Sequence, residues 1–120
     1  LIQKYPDLVE KGYQANDFGA IVAAAALAHD IGNPPFGHSG EKSTGEYFKS
    51  GNGKIFKDKL NKKQWQDLID FEGNANGFKI LTETKNGIKG GLRLSYATLG
   101  AFTKYPKESL PKKPSQNIVD

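Results

Sequence analysis

The sequence contains no cysteine, which excludes disulfides, thiolate nucleophiles and cysteine-ligated zinc. A reducing, cytoplasmic setting is compatible with that. A long hydrophobic run is missing as well. The most apolar stretch, AIVAAAALA from Ala20 to Ala28, is about half the length needed to span a bilayer, so no membrane partner is expected. The chain does not open with a basic region followed by a short apolar core, so no signal peptide is expected either. It begins with Leu1 rather than Met, which suggests a processed chain or an internal fragment. Histidine is scarce, with 2 in the whole sequence.

The 120 residues fit one domain with a modest core. Hydrophobic residues make up 37% and charged residues 25%, the composition of a soluble globular protein with a low apolar share. Lys and Arg number 17 against 13 acids, a net charge of +4. That surplus favours nucleotides, nucleic acid or phosphates as partners, and it equally describes an ordinary lysine-rich solvated surface.

Hydropathy and turn residues divide the chain. Residues 1–16 look like the end of a helix and a turn around Gly12 and Asn16. A helix is expected from Asp17, placed as its cap, to Gly32, placed to end it. Its Ala20–Ala28 stretch is apolar on nearly every face, the pattern of a helix surrounded by others. Pro34 and Pro35 force a loop, and a short helix is permitted from His38 to about Lys49. Residues 51–63 are rich in Gly and Lys and read as a flexible basic loop. From about Lys63 to Thr84 a single helical stripe holds Trp65, Leu68, Ile69, Ala75, Phe78 and Leu81. On it, Gly73 and Gly77 form a smooth strip open to close approach. A last helix starts near a Ser95 cap and is ended by Pro106, and 107–120 reads as a polar tail. The class is all-α.

The chemistry concentrates in HDIGNPPFGHSGE, His29 to Glu41, which holds both histidines. His29 and Asp30 would sit in the last turn of a helix, where the carbonyl partial charges favour a cation. Imidazole and carboxylate together suit a divalent metal with mixed nitrogen and oxygen ligands, and such an ion polarises a phosphoryl oxygen and acidifies bound water. A bare His-Asp dipeptide also arises by chance, and His29 alone would fit a hydrogen-bonded core. His38 and Glu41, three apart, share a helix face. Glu41 could orient the imidazole, leaving its other nitrogen for proton transfer or contact with a phosphate. An ion pair on a helix surface fits those two residues equally well.

The whole string resembles the HD-domain signature of the bacterial dGTPase-like deoxynucleoside triphosphate triphosphohydrolases. FEGNANGFKILT (Phe71–Thr82) and GLRLSYATLGAFTKYP (Gly91–Pro106) match in the expected order. The resemblance implies a partial HD-domain helical bundle, with 17–106 as the central part of the catalytic domain. It also implies hydrolysis of a dNTP to deoxynucleoside and tripolyphosphate. By the same likeness, His29 and Asp30 are metal ligands for manganese or magnesium, with iron, cobalt, nickel or zinc as alternatives. His38 and Glu41 are the catalytic pair. Asn74, Lys104 and Tyr105 contact the nucleotide or its triphosphate, where a lysine suits the negative charge. Structural alternatives for these three are a capping Asn, a helix-end Lys and a core Tyr.

The family's first metal-binding His and its last Asp have no counterpart in this chain, so weak metal binding and an internal fragment of a larger enzyme are expected. Family likeness also implies a homo-oligomer. Two other readings remain: a different HD-type nucleotidase or phosphodiesterase, and a regulatory module binding single-stranded nucleic acid through the lysines of Lys54–Lys63 and Lys112–Lys113.

Overall fold

The computed structural model describes residues 1–111; most of the expected tail, with Lys112 and Lys113, lies outside the described residues. Among the described residues there are six α-helices, one 3-10 helix and no strand, only an isolated bridge between Lys85 and Ile88. The all-α class is therefore observed. The helices are α1 (Asp7–Glu10), α2 (Ala15–Ala28), α3 (Gly37–Lys49), α4 (Lys62–Ile69), α5 (Gly73–Thr82) and α6 (Tyr96–Phe102), with the 3-10 helix at Asn52–Lys59. No helix is long and apolar enough to cross a membrane, among the described residues.

The chain divides into two compact units. One comprises Leu1–Gly32 and Asn74–Lys104. Its helix α2 starts earlier than Asp17, with Gln14 in extended geometry before it. Asp17 instead occupies the first turn and accepts the Gln14 N–H at 2.7 Å, so it satisfies an orphan amide from inside the helix. Only Ala25 of α2 is fully buried, whereas Val22 and Leu27 are exposed. Within this unit the expected surround of helices is thus limited to one side, where α2 packs on α6. Ala25, Leu81 and Phe102 form the buried cluster, with Ala28, Leu94 and Leu99 against it. Gly77 belongs to this packing: a Cβ there would lie 2.8 Å from Cζ of Phe102. The expected Ser95 cap is present, its hydroxyl accepting the Thr98 N–H at 3.1 Å. The helix it starts ends at Phe102, before Pro106.

The other unit comprises Asn33–Gly73 and the segment from Tyr105. Here α3 packs on α4 and on the 3-10 helix. Phe48 meets Trp65 edge-on at 6.5 Å and Tyr47 at 5.1 Å. The segment read as a basic loop carries the 3-10 helix because Gly53 is buried beneath the Tyr47 and Phe48 rings. The expected single helix from Lys63 to Thr84 is two helices. Asp70 leaves helical geometry (φ −113°, ψ 46°), and the chain turns before α5 begins at Gly73. Asn61 and Gln64 close the start of α4 reciprocally, at 2.9 and 3.1 Å.

Candidate active-site residues and family

In the first unit, His29 is the residue that closes α2, with Asp30 directly after it. Its ring Nδ1 lies 2.6 Å from the Ala26 carbonyl oxygen. A carbonyl can only accept, so Nδ1 carries the proton and, in the neutral ring, Nε2 presents its lone pair. That lone pair lies 2.9 Å from Oδ2 of Asp30. Two lone pairs at this distance repel unless a proton or a cation sits with them. A protonated imidazole paired with the carboxylate satisfies this contact, and the same two atoms are donors of the type a divalent cation takes, with the Ala26 carbonyl fixing the ring as backbone carbonyls commonly do for metal-ligating histidines. Both side chains are about two-thirds exposed (68% and 66%), so His29 is not a core histidine. Among the described residues, no group of three or more His, Asp or Glu side chains is arranged to hold a metal ion.

In the second unit, the Pro34–Pro35 turn leads into α3 through Phe36, which adopts the left-handed conformation (φ 68°) although it is not glycine. This reversal starts the helix at Gly37 and puts His38 and Glu41 one turn apart on its first turns. Nδ1 of His38 lies 2.8 Å from Oε2 of Glu41. The other carboxylate oxygen, Oε1, accepts the Gly73 backbone N–H at 2.7 Å. The His38 bond, then the Gly73 amide, hold the Glu41 carboxyl below its ordinary value of 4.5 against the opposing effect of burial. An ionised carboxylate only accepts, so His38 must donate from Nδ1, and in its neutral form Nε2 is the basic nitrogen. The imidazole is 97% exposed and the carboxylate 15%. A simple surface ion pair would leave both groups in water; here the orienting partner is held and the basic nitrogen is presented.

Of the nucleotide-contact candidates, Asn74 lies half-buried in the first turn of α5 rather than before it. Lys104 follows the end of α6 and is exposed. Tyr105 is 74% exposed with φ 50°, so it is not a core tyrosine. Sequence reasoning missed the backbone groups: the Ala26 carbonyl that sets one histidine and the Gly73 amide that holds the glutamate of the other. A main-chain atom leaves no mark in residue type, although Gly73 within FEGNANG was a trace of it.

The HD-domain family model matches residues 8–71. A deoxyguanosinetriphosphate triphosphohydrolase-like protein of Pseudomonas aeruginosa (strain LESB58) is 49% identical over 92 residues, covering 76% of this chain and 21% of the relative. One from Synechocystis sp. is 48% identical over 103 residues, covering 80% and 22%. One from Streptomyces coelicolor is 35% identical over 111 residues, covering 83% and 22%. The chain thus spans about a fifth of the length of these relatives. With both histidine–carboxylate pairs lying within the span the family model matches, the chain belongs to the HD-domain family.

Proposed function

We propose that this chain carries part of the catalytic centre of a deoxynucleoside triphosphate triphosphohydrolase. The observation that supports this best is the His38–Glu41 pair, in which a held carboxylate accepts the Nδ1 proton at 2.8 Å and leaves Nε2 exposed for chemistry. The names of the relatives point to a triphosphate substrate, and the surplus of lysine suits one.

His29 and Asp30 would hold the divalent ion, manganese or magnesium by family likeness; when bound, it supplies Lewis-acid activation of the phosphoryl group and of water. The protein's own part is proton handling. Neutral His38 takes a proton from the attacking water at Nε2 as the new oxygen–phosphorus bond forms at the α-phosphorus. The bond from phosphorus to the 5′ oxygen breaks, and the imidazolium returns the proton to that oxygen. The products are a deoxynucleoside and tripolyphosphate. Glu41 stabilises the imidazolium between the two transfers. Asn74, Lys104 and Tyr105 are the proposed contacts to nucleotide and triphosphate, Lys104 by countering phosphate charge. A cytoplasmic location follows from this substrate and agrees with the absence of cysteine.

Phosphorus NMR of the products formed from each of the four dNTPs with manganese tests the reading, with Asp30→Ala in parallel. Tripolyphosphate from the unmodified protein alone supports it. Orthophosphate, pyrophosphate or cleaved diesters would instead favour another HD-type nucleotidase or phosphodiesterase.

Binding of single-stranded nucleic acid through Lys54–Lys63 is the lesser alternative. In that segment Lys57 lies over the Trp65 ring and Lys59 over Phe56, at 5.9 and 6.0 Å. Such binding would weaken steeply with salt and be indifferent to chelators. Homo-oligomerisation, as in the family, remains part of the proposal.

A further inference from the structure

The glutamate that orients His38 is also held from outside its own helix. Its Oε2 is occupied by His38, and its Oε1 accepts a hydrogen bond from the backbone N–H of Gly73, 32 positions along the chain. This amide belongs to the first residue of α5, where helical N–H groups have no partner within the helix. Gly73 is buried. A Cβ built on it would lie 2.3 Å from Oδ1 of Asn33 and 2.9 Å from Oε1 of Glu41. The first distance is far inside van der Waals contact, and the second would push on the oxygen that the amide holds. Gly73, Asn33, His38 and Glu41 all belong to one compact unit.

We infer that Gly73 is a positioning residue for the His38–Glu41 pair: its amide anchors one oxygen of Glu41, and its missing side chain lets that anchor reach bonding distance, so that the other oxygen sets the His38 tautomer. The inference rests on the proposed role of His38. The break between α4 and α5 then has a purpose, since an uninterrupted helix through residues 70–73 would spend the Gly73 amide on its own backbone. Placement of the basic Nε2 atom is thereby linked to a stretch of chain far from the HDIGNPPFGHSGE motif.

The test is nitrogen-15 NMR of the histidine ring and of the Gly73 amide, with turnover measured on the same samples. In the unmodified protein, neutral His38 should carry its proton on Nδ1. The Gly73 amide proton should move when Glu41→Gln removes the carboxylate charge. Gly73→Ala should return His38 to the ordinary tautomer mixture, in which the proton favours Nε2. Turnover should fall about 100-fold, the scale of a displacement near 1 Å, while KM stays unchanged. Retention of the Nδ1 proton in Gly73→Ala with intact turnover would overturn the inference. So would a Gly73 amide in the intact fold that ignores Glu41→Gln, a readout that does not depend on Gly73→Ala folding. If the unmodified protein makes no tripolyphosphate, the proposed function fails while the tautomer and amide readouts still decide the role of Gly73.

Discussion

His38 and Glu41 are joined by one hydrogen bond of 2.8 Å, yet the imidazole is 97% exposed and the carboxylate 15%. Under the proposed function, the asymmetry separates a reacting group from its support. A base must meet substrate, so it faces outward; the group that sets its tautomer must not wander, so it is packed and bonded twice. Replacing His38 by Ala should lower turnover by about two to four orders of magnitude, the scale of a positioned acid–base group. Metal content should stay unchanged, measured by elemental analysis beside steady-state kinetics. Loss of metal in His38→Ala would make His38 a ligand instead.

Asp30→Ala should act through the cation. With Nε2 of His29 left as the one close donor of that pair, the protein should lose manganese affinity, and isothermal titration should show it. Normal metal content with normal turnover would refute the ligand assignment. The neighbouring Ala26 carbonyl keeps the His29 ring in place by its 2.6 Å contact, so circular dichroism of the variant should match the unmodified protein.

Acid should weaken the fold through Glu41. Its carboxyl is held below the ordinary value of 4.5, first by the His38 bond and then by the Gly73 amide. A depressed carboxyl favours folding whenever the unfolded chain would bind the proton more readily. The contribution is therefore complete above the unfolded value and fades as pH falls through the lower folded value. Glu41→Gln should flatten that part of the stability curve, measured by denaturant titration between neutral pH and the acid range. An unchanged acid limb would show that the carboxylate is not held as described.

Among the described residues Leu81 is the most deeply buried side chain, with 1% exposure, and packs with Ala25 and Phe102. Leu81→Ala should cost about 2–5 kcal/mol through lost burial and the cavity left behind. Leu27→Ala, at a side chain 89% exposed, should change stability far less. Equal losses at the two positions in urea melts would mean that the α2 surface is covered in solution.

Phe36 holds a left-handed backbone at φ 68° with its ring 91% exposed. That conformation is unfavourable for a bulky residue and tolerated by Asn. Phe36→Asn should therefore raise stability by about 1 kcal/mol. A loss instead would show that the phenyl is bound in the folded protein.

The sequence by itself determined the helical class, the Pro34–Pro35 break, the Ser95 cap and the pairing of His38 with Glu41. Each depends on residue type and short spacing: a proline ring cannot continue a helix, a serine oxygen meets an amide three residues on, and positions three apart share a helix face. It also carried enough of the motif to place the chain in the HD-domain family. Tertiary structure alone decided the rest. The stripe from Trp65 to Leu81 keeps a helical period through Asp70, so periodicity could not reveal that the chain turns there to present the Gly73 amide to Glu41. Residues 51–63 look like solvated loop by composition, and only burial of Gly53 beneath Tyr47 and Phe48 makes them a 3-10 helix. Asp17 satisfies an amide from within α2 instead of preceding it, because an acid caps equally well from the first turn. Local chemistry is written in side chains. The backbone atoms that fix each histidine, the Ala26 carbonyl and the Gly73 amide, are common to every residue, and only folding selects which of them is used.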